Sequence, residues 1–297
     1  MTQEPNNPFL NLRVRNLLLW GLLFSLMFGF VLGAIAQSFN LNLDDPVWIL
    51  ITYILLFVSL SLWLIVQFKR QRVSLRWVTG RIPNHPKWLS TAGLVIATLL
   101  FSLSSFQLAF YVISFAAPSF VESLLQELSA QANPQTAAPL LYEPLSVIAS
   151  VIVAPLSEEL IFRGFILQRW AVKWNLPLAL IVSSLVFGLL HPNPIGLTVF
   201  GLVMGLLYVK TRSLMVPILC HALNNVLAKA MEFLPIDSGS TEIPNLEQFR
   251  SEVGIGILLM VVSAPWLIQF ITKNFPRQDA TIPYLINVLS ASARRSV

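Results

Sequence analysis

The sequence is poor in charge and in cysteine. Only 11% of its 297 residues are Asp, Glu, Lys or Arg, and 56% are hydrophobic, whereas a soluble domain carries roughly 25% charged residues. A water-soluble core cannot absorb this much apolar sequence, so the composition predicts a polytopic membrane protein. The single cysteine, Cys220, excludes an intrachain disulfide and a thiolate metal cluster. The polar N-terminus lacks the features of a cleaved secretory signal, so we expect the first apolar segment to remain in the mature protein.

Eight apolar segments predict an all-α integral membrane bundle of about eight transmembrane helices. They run approximately over Leu17–Ala36, Val47–Phe68, Ala92–Phe115, Leu145–Ile166, Leu176–Leu190, Gly196–Tyr208, Leu214–Met231 and Val253–Ile271. The fifth and sixth are shorter than the ~20 residues that a straight span needs. A count restricted to long segments therefore gives six or seven. We also expect some helix within the polar connection 119–142.

The charges of the connecting loops alternate in sign along the chain. The loop after the second segment contains Lys69, Arg70, Arg72, Arg76, Arg81 and Lys87, whereas the loop after the seventh contains Glu232, Asp237, Glu242 and Glu247. Positively charged loops stay on the cytoplasmic side of a membrane. The net charge of +5 is thus explained by membrane orientation and does not indicate nucleic acid. The pattern predicts that both termini are cytoplasmic. The absence of an organellar transit peptide favours a bacterial plasma membrane or a related photosynthetic membrane.

Polar residues interrupt three of the later segments. They are Glu158, Glu159 and Arg163 in the fourth segment, Phe187 and His191 at the end of the fifth, and His221 and Asn225 in the seventh. An ionisable group at the bilayer centre costs roughly 2.5–3.5 kcal/mol on insertion scales, so such groups need partners. Residues four apart share a helix face, which pairs Glu159 with Arg163. Glu158 lies about 100° away and is left to face a cavity.

The positions of these residues along their helices test whether they can meet. Counting from the turn near Lys173, Glu158 and His191 both lie roughly 22–27 Å along their helices at ~1.5 Å per residue. His221 lies only ~14 Å beyond Arg212 by the same rise. A shared site therefore requires helix tilt or a polar turn that reaches into the membrane.

The three motifs together resemble those of the CPBP family, the CAAX prenyl endopeptidases and their bacterial relatives, also called the ABI family. The resemblance covers about Leu145 to Ala230 and rests on EExxxR, FxxxH and HxxxN in that order on successive helices. It implies an eight-span intramembrane endopeptidase in which Glu158 activates water and His191 helps to hold it. It further implies that His221 and Asn225 stabilise the oxyanion, with Glu159 and Arg163 in support. We expect Phe187 to be a packing residue.

The resemblance divides one membrane domain, residues 1–297, into three parts. Residues 1–143 are expected to be accessory spans, 144–231 the catalytic core, and 232–297 a loop, the last span and a cytoplasmic tail. The expected partners are a membrane-associated protein or peptide substrate and the lipid bilayer, with no nucleic acid. The sequence does not define an oligomeric state.

Three alternatives remain open from the sequence. First, Glu158, His191 and His221 match a catalytic zinc ligand set, although HExxH is absent and we favour catalysis without a metal. Second, the same fold could serve as a non-catalytic membrane partner-binding or immunity protein. Third, the buried polar groups could form the ion relay of a transporter, although the sequence lacks paired broken helices.

Overall fold

The computed structural model describes residues 7–84, 87–132, 134–232 and 245–293, and the regular structure within these ranges is entirely helical. A 3₁₀ turn at Pro8–Asn11 precedes the first helix. The helices are α1 (Val14–Ser38), α2 (Val47–Arg70), α3 (Leu75–Thr79), α4 (Trp88–Ala116), α5 (Pro118–Ala132), α6 (Pro139–Lys173), α7 (Leu176–Leu189), α8 (Pro194–Thr211), α9 (Met215–Glu232), α10 (Leu246–Ser251), α11 (Val253–Asn274) and α12 (Pro283–Ala293).

The predicted all-α membrane bundle is confirmed, and each of the eight apolar segments is helical. Six helices are long and apolar enough to cross a membrane, namely α1, α2, α4, α6, α8 and α11. Helix α7 is shorter than these, and α9 has a more polar composition. The count of eight is therefore approximate, and six is the count by length and composition within the described ranges.

Helix α6 lies at the centre of the bundle. In its most apolar window 61% of the residues are buried, against none in that of α1. Every residue from Ser157 to Gln168 is buried, so the charged motif of this helix is enclosed by other helices. Helices α2, α7 and α9 all pack against α6, which brings the motif helices together.

Two π-helical stretches interrupt α6. Ile148–Val153 and Leu160–Leu167 are π-helical and flank the α-helical turn Ala154–Glu159 that carries both glutamates. Pro155 offers a physical reason for the first stretch, because proline has no N–H to donate and its ring clashes with the preceding turn of an α-helix. Such i→i+5 stretches are rare and often occur at functional sites.

Helices α7 and α8 approach each other closely because α8 presents glycine to α7. A Cβ added at Gly205 would lie 2.4 Å from Leu180 Cδ1, and one at Gly201 would lie 3.1 Å from the Cα of Ser184. Small residues at this spacing permit close packing of membrane helices. This contact fixes α8, whose backbone receives a hydrogen bond from the charged motif of α6.

The polar connection before α6 contains helix α5, as expected, and is anchored on the start of α2. The Asp45 carboxylate accepts hydrogen bonds from the Thr136 hydroxyl (2.8 Å), the Ala137 N–H (2.8 Å) and the Val47 N–H (3.0 Å). The backbone hydrogen bonds from Val47 and Ala137 lower the pKa of Asp45 below its usual value of 3.8. One carboxylate therefore fixes the beginning of α6 relative to α2.

We predict that Asp45→Asn lowers the thermal unfolding midpoint of the protein in detergent. A lowered folded-state pKa means that Asp45 contributes stability above its usual pKa and loses it as pH falls through the folded-state value. The difference between wild type and Asp45→Asn should therefore be full at pH 6–7 and shrink as the pH falls below about 4. Melting curves across this pH range measure it.

Asp44→Asn is the matched control, because Asp44 is adjacent and exposed and its carboxylate accepts none of these hydrogen bonds. It should leave the midpoint unchanged at every pH. Equal effects of the two substitutions would show that Asp45 does not anchor the connection.

Candidate active site

Glu159 lies at the centre of the polar cluster. Its side chain has no exposed surface, and Oε1 accepts hydrogen bonds from Arg163 Nη1 at 2.8 Å and from His221 Nδ1 at 2.9 Å. The pairing of Glu159 with Arg163 agrees with the i,i+4 spacing, but the bond from His221 was not expected. The second oxygen, Oε2, is buried without a hydrogen-bond partner among the described residues.

Arg163 extends this cluster to a third helix. Its Nη2 donates a hydrogen bond to the carbonyl of Gly201 on α8 at 2.9 Å. Its guanidinium also lies 4.8 Å from the centroid of the Phe187 ring on α7. A buried arginine needs such satisfied contacts, since an unpaired buried charge is strongly unfavourable. Glu159 and Arg163 together therefore connect α6 with α7, α8 and α9.

Glu158 has a different set of neighbours, as the 100° offset between the two glutamates predicts. Its Oε1 accepts a hydrogen bond from the Tyr53 hydroxyl at 3.0 Å, and its Oε2 lies 4.0 Å from His221 Nε2. The latter distance is too long for a direct hydrogen bond. Glu158 is 7% exposed, so its carboxylate is nearly enclosed, and within the described part of the chain Oε2 accepts no hydrogen bond.

Tyr53 was missed by the sequence analysis. It lies on α2, within the predicted accessory spans and far from the three motifs. A single tyrosine in an apolar segment carries no spacing signal, because its contact with Glu158 spans 105 positions of the chain. Only the packing of α2 against α6 reveals it.

His221 is oriented by the contact with Glu159. A carboxylate accepts hydrogen bonds, so Nδ1 carries the hydrogen in the 2.9 Å contact and Nε2 is directed to the side of Glu158. Phe200 packs edge-on against the imidazole, with ring centroids 4.8 Å apart. A carboxylate bound to one ring nitrogen fixes the tautomer and position of a functional histidine.

His191 lies at the edge of the cluster. Its Nδ1 donates to the Phe187 carbonyl at 2.6 Å and its ring lies 4.6 Å from that of Phe187. Within the described ranges no hydrogen bond joins His191 to either glutamate. Phe187 is fully buried and also contacts the rings of Phe200 and His221, so it packs between the two histidines.

Asn225 bridges α9 and the first π-helical stretch of α6. Its Nδ2 donates to the carbonyl of Ser150 at 2.7 Å. In the π-helical pattern the N–H of Ala154 bonds to the carbonyl of Ala149, so the carbonyl of Ser150 would need a donor at Pro155, which has none. Asn225 supplies that missing donor and keeps a second amide hydrogen.

The predicted mismatch in depth does not keep His221 from the glutamates. The predicted distance of Glu158 from Lys173 along α6 assumed an α-helical rise throughout, but Leu160–Leu167 is π-helical. Because π-helical hydrogen bonds span five residues, this stretch holds more residues in each turn than an α-helix. The distance along α6 is therefore shorter than predicted. The π-helical stretch thus contributes to bringing Glu159 level with His221.

A three-ligand zinc site is not assembled among the described residues. No group of three His, Cys, Asp or Glu side chains among the described residues is placed to hold a metal ion. His191 and His221 each use Nδ1 in a hydrogen bond, to the Phe187 carbonyl and to Glu159, which leaves Nε2 of each ring for other contacts. The absence of a resident metal in the protein itself stays a prediction.

Comparisons with known proteins match the segment that carries these side chains. Residues 140–227 match the family model described as "Type II CAAX prenyl endopeptidase Rce1-like". The chain is 35% identical over 96 residues to the putative membrane peptidase YdiL of Bacillus subtilis (strain 168), covering 31% of this chain and 39% of that protein. It is 37% identical over 91 residues to the membrane-embedded CAAX protease MroQ of Staphylococcus aureus (strain USA300), covering 28% of this chain and 37% of that protein. No solved structure matches.

The matched segment includes every motif residue but not Tyr53. The alignments span less than two fifths of the length of each curated relative. The family match covers helices α6 to α9.

We predict that Asn225→Leu destabilises the protein by about 1–2 kcal/mol, because the carbonyl of Ser150 loses its donor. Thermal unfolding in detergent measures the change. Asn224→Leu is the control on the same helix, since the Asn224 amide bonds among the described residues to Asn225 alone, at 3.3 Å, and not to the Ser150 carbonyl. Equal destabilisation by both substitutions would contradict the role assigned to Asn225.

Proposed function

We propose that the protein is an intramembrane endopeptidase of the Rce1-like family of CAAX prenyl endopeptidases, whose model matches residues 140–227. It hydrolyses a peptide bond of a membrane-associated protein or peptide. The observation that carries this proposal is the placement of Glu158 Oε2 at 4.0 Å from His221 Nε2, within a buried site. A single oxygen atom can contact both groups across that distance.

Glu158 acts as the general base in this proposal. It takes a proton from water, whose oxygen attacks the carbonyl carbon of the scissile bond, and the carbonyl electrons move onto the oxygen. The tetrahedral intermediate collapses as the C–N bond breaks, and the proton held by Glu158 passes to the leaving nitrogen. A positioned carboxylate that transfers a proton in this way typically contributes 10²–10⁴-fold to rate.

His221 and Asn225 stabilise the oxyanion in this proposal. Nδ1 of His221 is bonded to Glu159, so Nε2 is the ring nitrogen that faces the oxyanion, and it donates a hydrogen bond there in the doubly protonated ring. The second amide hydrogen of Asn225 is available for the same purpose. Loss of one such donor typically costs about 10²–10³ in rate.

Glu159 and Arg163 are positioning residues in this scheme. Glu159 holds His221, and Arg163 holds Glu159 while it bonds to the Gly201 carbonyl. His191 is assigned to holding the water or substrate at the edge of the site through its Nε2, since its Nδ1 is engaged by Phe187. No step requires a metal, and zinc analysis of active purified protein tests this. One zinc per chain, with activity lost on chelation and restored by zinc, would contradict it.

The chain is an integral membrane protein whose two matched relatives are bacterial. We place both termini on the cytoplasmic side, in a bacterial plasma membrane or a photosynthetic membrane. The basic residues between α2 and α4 and after α11, set against the acidic residues before α11, support this orientation.

We predict that Glu158→Gln reduces cleavage at least 10²-fold, because the amide cannot accept the proton from water. An unbiased comparison of membrane-protein termini between cells with the wild-type and the Glu158→Gln protein identifies the substrate. The cleavage rate of that substrate then measures the loss.

Glu143→Gln is the matched control, since Glu143 is exposed on the same helix α6. It should retain full activity, and both variants should keep the thermal unfolding midpoint of the wild type within a few degrees. Full activity of Glu158→Gln would rule out the proposed mechanism. A biological function that persists without Glu158 and His221 would instead favour the non-catalytic partner-binding role.

We predict that Tyr53→Phe lowers kcat about tenfold, the effect of one hydrogen bond to a charged group. Tyr53 positions Glu158 without touching the substrate, so KM should not change. Tyr111→Phe serves as the control, because Tyr111 lies on α4 and its hydroxyl takes no part in this cluster. An unchanged kcat, or a rise in KM alone, would contradict the positioning role.

A further inference from the structure

A large cavity lies apart from the candidate active site. It has a volume of about 1180 Å³ and is formed by α3, the α3–α4 connection, the start of α4, the ends of α8 and α11, and α12. None of the glutamates, histidines or asparagines of the polar cluster lines it. Its walls belong to the loop end of the bundle that carries most of the basic residues.

The described lining of the cavity is strongly basic. It includes six cationic side chains and no Asp or Glu, the cations being Arg76, Arg81, Lys87, Lys210, Arg212 and Lys273. Across the described part of the chain no salt bridge joins any of them to a carboxylate. Six like charges around one cavity repel each other and attract an anion.

The cavity walls are held together by specific hydrogen bonds. Asn287 Nδ2 donates at 2.9 Å to the carbonyls of both Trp77 and Arg212, which joins α12 to α3 and to the α8–α9 turn. Gly80 adopts a positive φ of 63°, and an added Cβ would lie 1.9 Å from the Arg212 carbonyl oxygen. The basic side chains are thus carried by segments with a fixed mutual arrangement.

Aromatic residues and an apolar groove connect the cavity with the lipid-facing surface. Trp88 and Trp266 line the cavity and are 40% and 60% exposed, and tryptophan is enriched where a membrane meets water. A groove of about 260 Å³ shares Trp88 and Thr91 with the cavity and continues past Leu219 and Leu223 between α4 and α9. A polar site therefore leads directly into an apolar one.

We propose that this cavity binds the phosphate-bearing headgroup of an anionic phospholipid, with an acyl chain in the adjoining groove. Clustered Lys and Arg at the cytoplasmic end of membrane helices recognise anionic headgroups through charge and hydrogen bonding. A free phosphate would use the basic walls but would leave the apolar groove without an occupant. The lipid satisfies both parts, and this assignment does not depend on peptidase activity.

The test compares phosphatidylglycerol binding by full-length variants. Purified protein is placed in nanodiscs of phosphatidylcholine alone or with phosphatidylglycerol, and retained lipid and the thermal unfolding midpoint are measured. Phosphatidylglycerol should raise the wild-type midpoint. Lys210→Gln with Lys273→Gln should weaken retention about 30-fold, because each cation contributes roughly fivefold in affinity.

Lys69→Gln with Arg70→Gln is the matched control. It removes the same charge from exposed residues at the end of α2 that do not line the cavity, and it should retain the lipid like the wild type. Arg76→Gln with Lys87→Gln, on another wall, provides a second cavity variant should the first fail to fold, and it should also lose the lipid.

Three results would overturn the proposal. Equal loss of lipid in the control and cavity variants would show a general effect of surface charge. A wild-type midpoint that is the same in phosphatidylcholine nanodiscs with and without phosphatidylglycerol would show that the headgroup charge is not recognised. Inorganic phosphate that reproduces the full rise, with no added effect of phosphatidylglycerol, would identify the ligand as free phosphate.

Discussion

The buried carboxylate of Glu159 is the constraint on which the arrangement of the central helices depends. A carboxylate without solvent contact is tolerated only when hydrogen-bonded cations or donors surround it. Here Arg163 and His221 both bond to one oxygen, at 2.8 and 2.9 Å. Because His221 lies on α9, α6 cannot rotate or slide against α9 without breaking the hydrogen bond from His221 to the buried Glu159 carboxylate. The same bonds that satisfy Glu159 therefore fix the imidazole of His221 beside Glu158.

The backbone of α6 is adapted to this arrangement by the two π-helical stretches. Pro155 removes a backbone donor just before the two glutamates, and Asn225 on α9 replaces it at the carbonyl of Ser150. A residue expected only to donate to an oxyanion therefore also completes the backbone bonding of a neighbouring helix. The two roles are compatible because an amide group has two hydrogens, so Asn225 contributes to stability beside the proposed role in chemistry.

The sequence predicted the membrane class, the helical segments and the polar residues, because each rests on composition or on local spacing. The i,i+4 rule placed Arg163 on Glu159, and the offset of adjacent residues separated Glu158 from it. The contact of His221 with Glu159 was not predictable in the same way, since it depends on how α6 and α9 pack. Tyr53 gave no signal, because its partner is 105 positions away. The π-helical stretches, which alter the depth of these residues, also have no local motif beyond Pro155.

The two adjacent glutamates differ because of the helices that surround each of them. Glu159 bonds to Arg163 on its own helix and to His221 on α9, and it is fully enclosed. Glu158 faces α2, where a neutral hydroxyl is its hydrogen-bond partner, and its other oxygen remains 4.0 Å from His221. Glu158 is 7% exposed and accepts a hydrogen bond from a neutral hydroxyl, whereas Glu159 has no exposed surface and is held by an arginine and a histidine. The sequence predicts a boundary between accessory spans and core at residue 143. Tyr53 on α2 lies before this boundary and Glu158 after it, so the boundary passes through the candidate site.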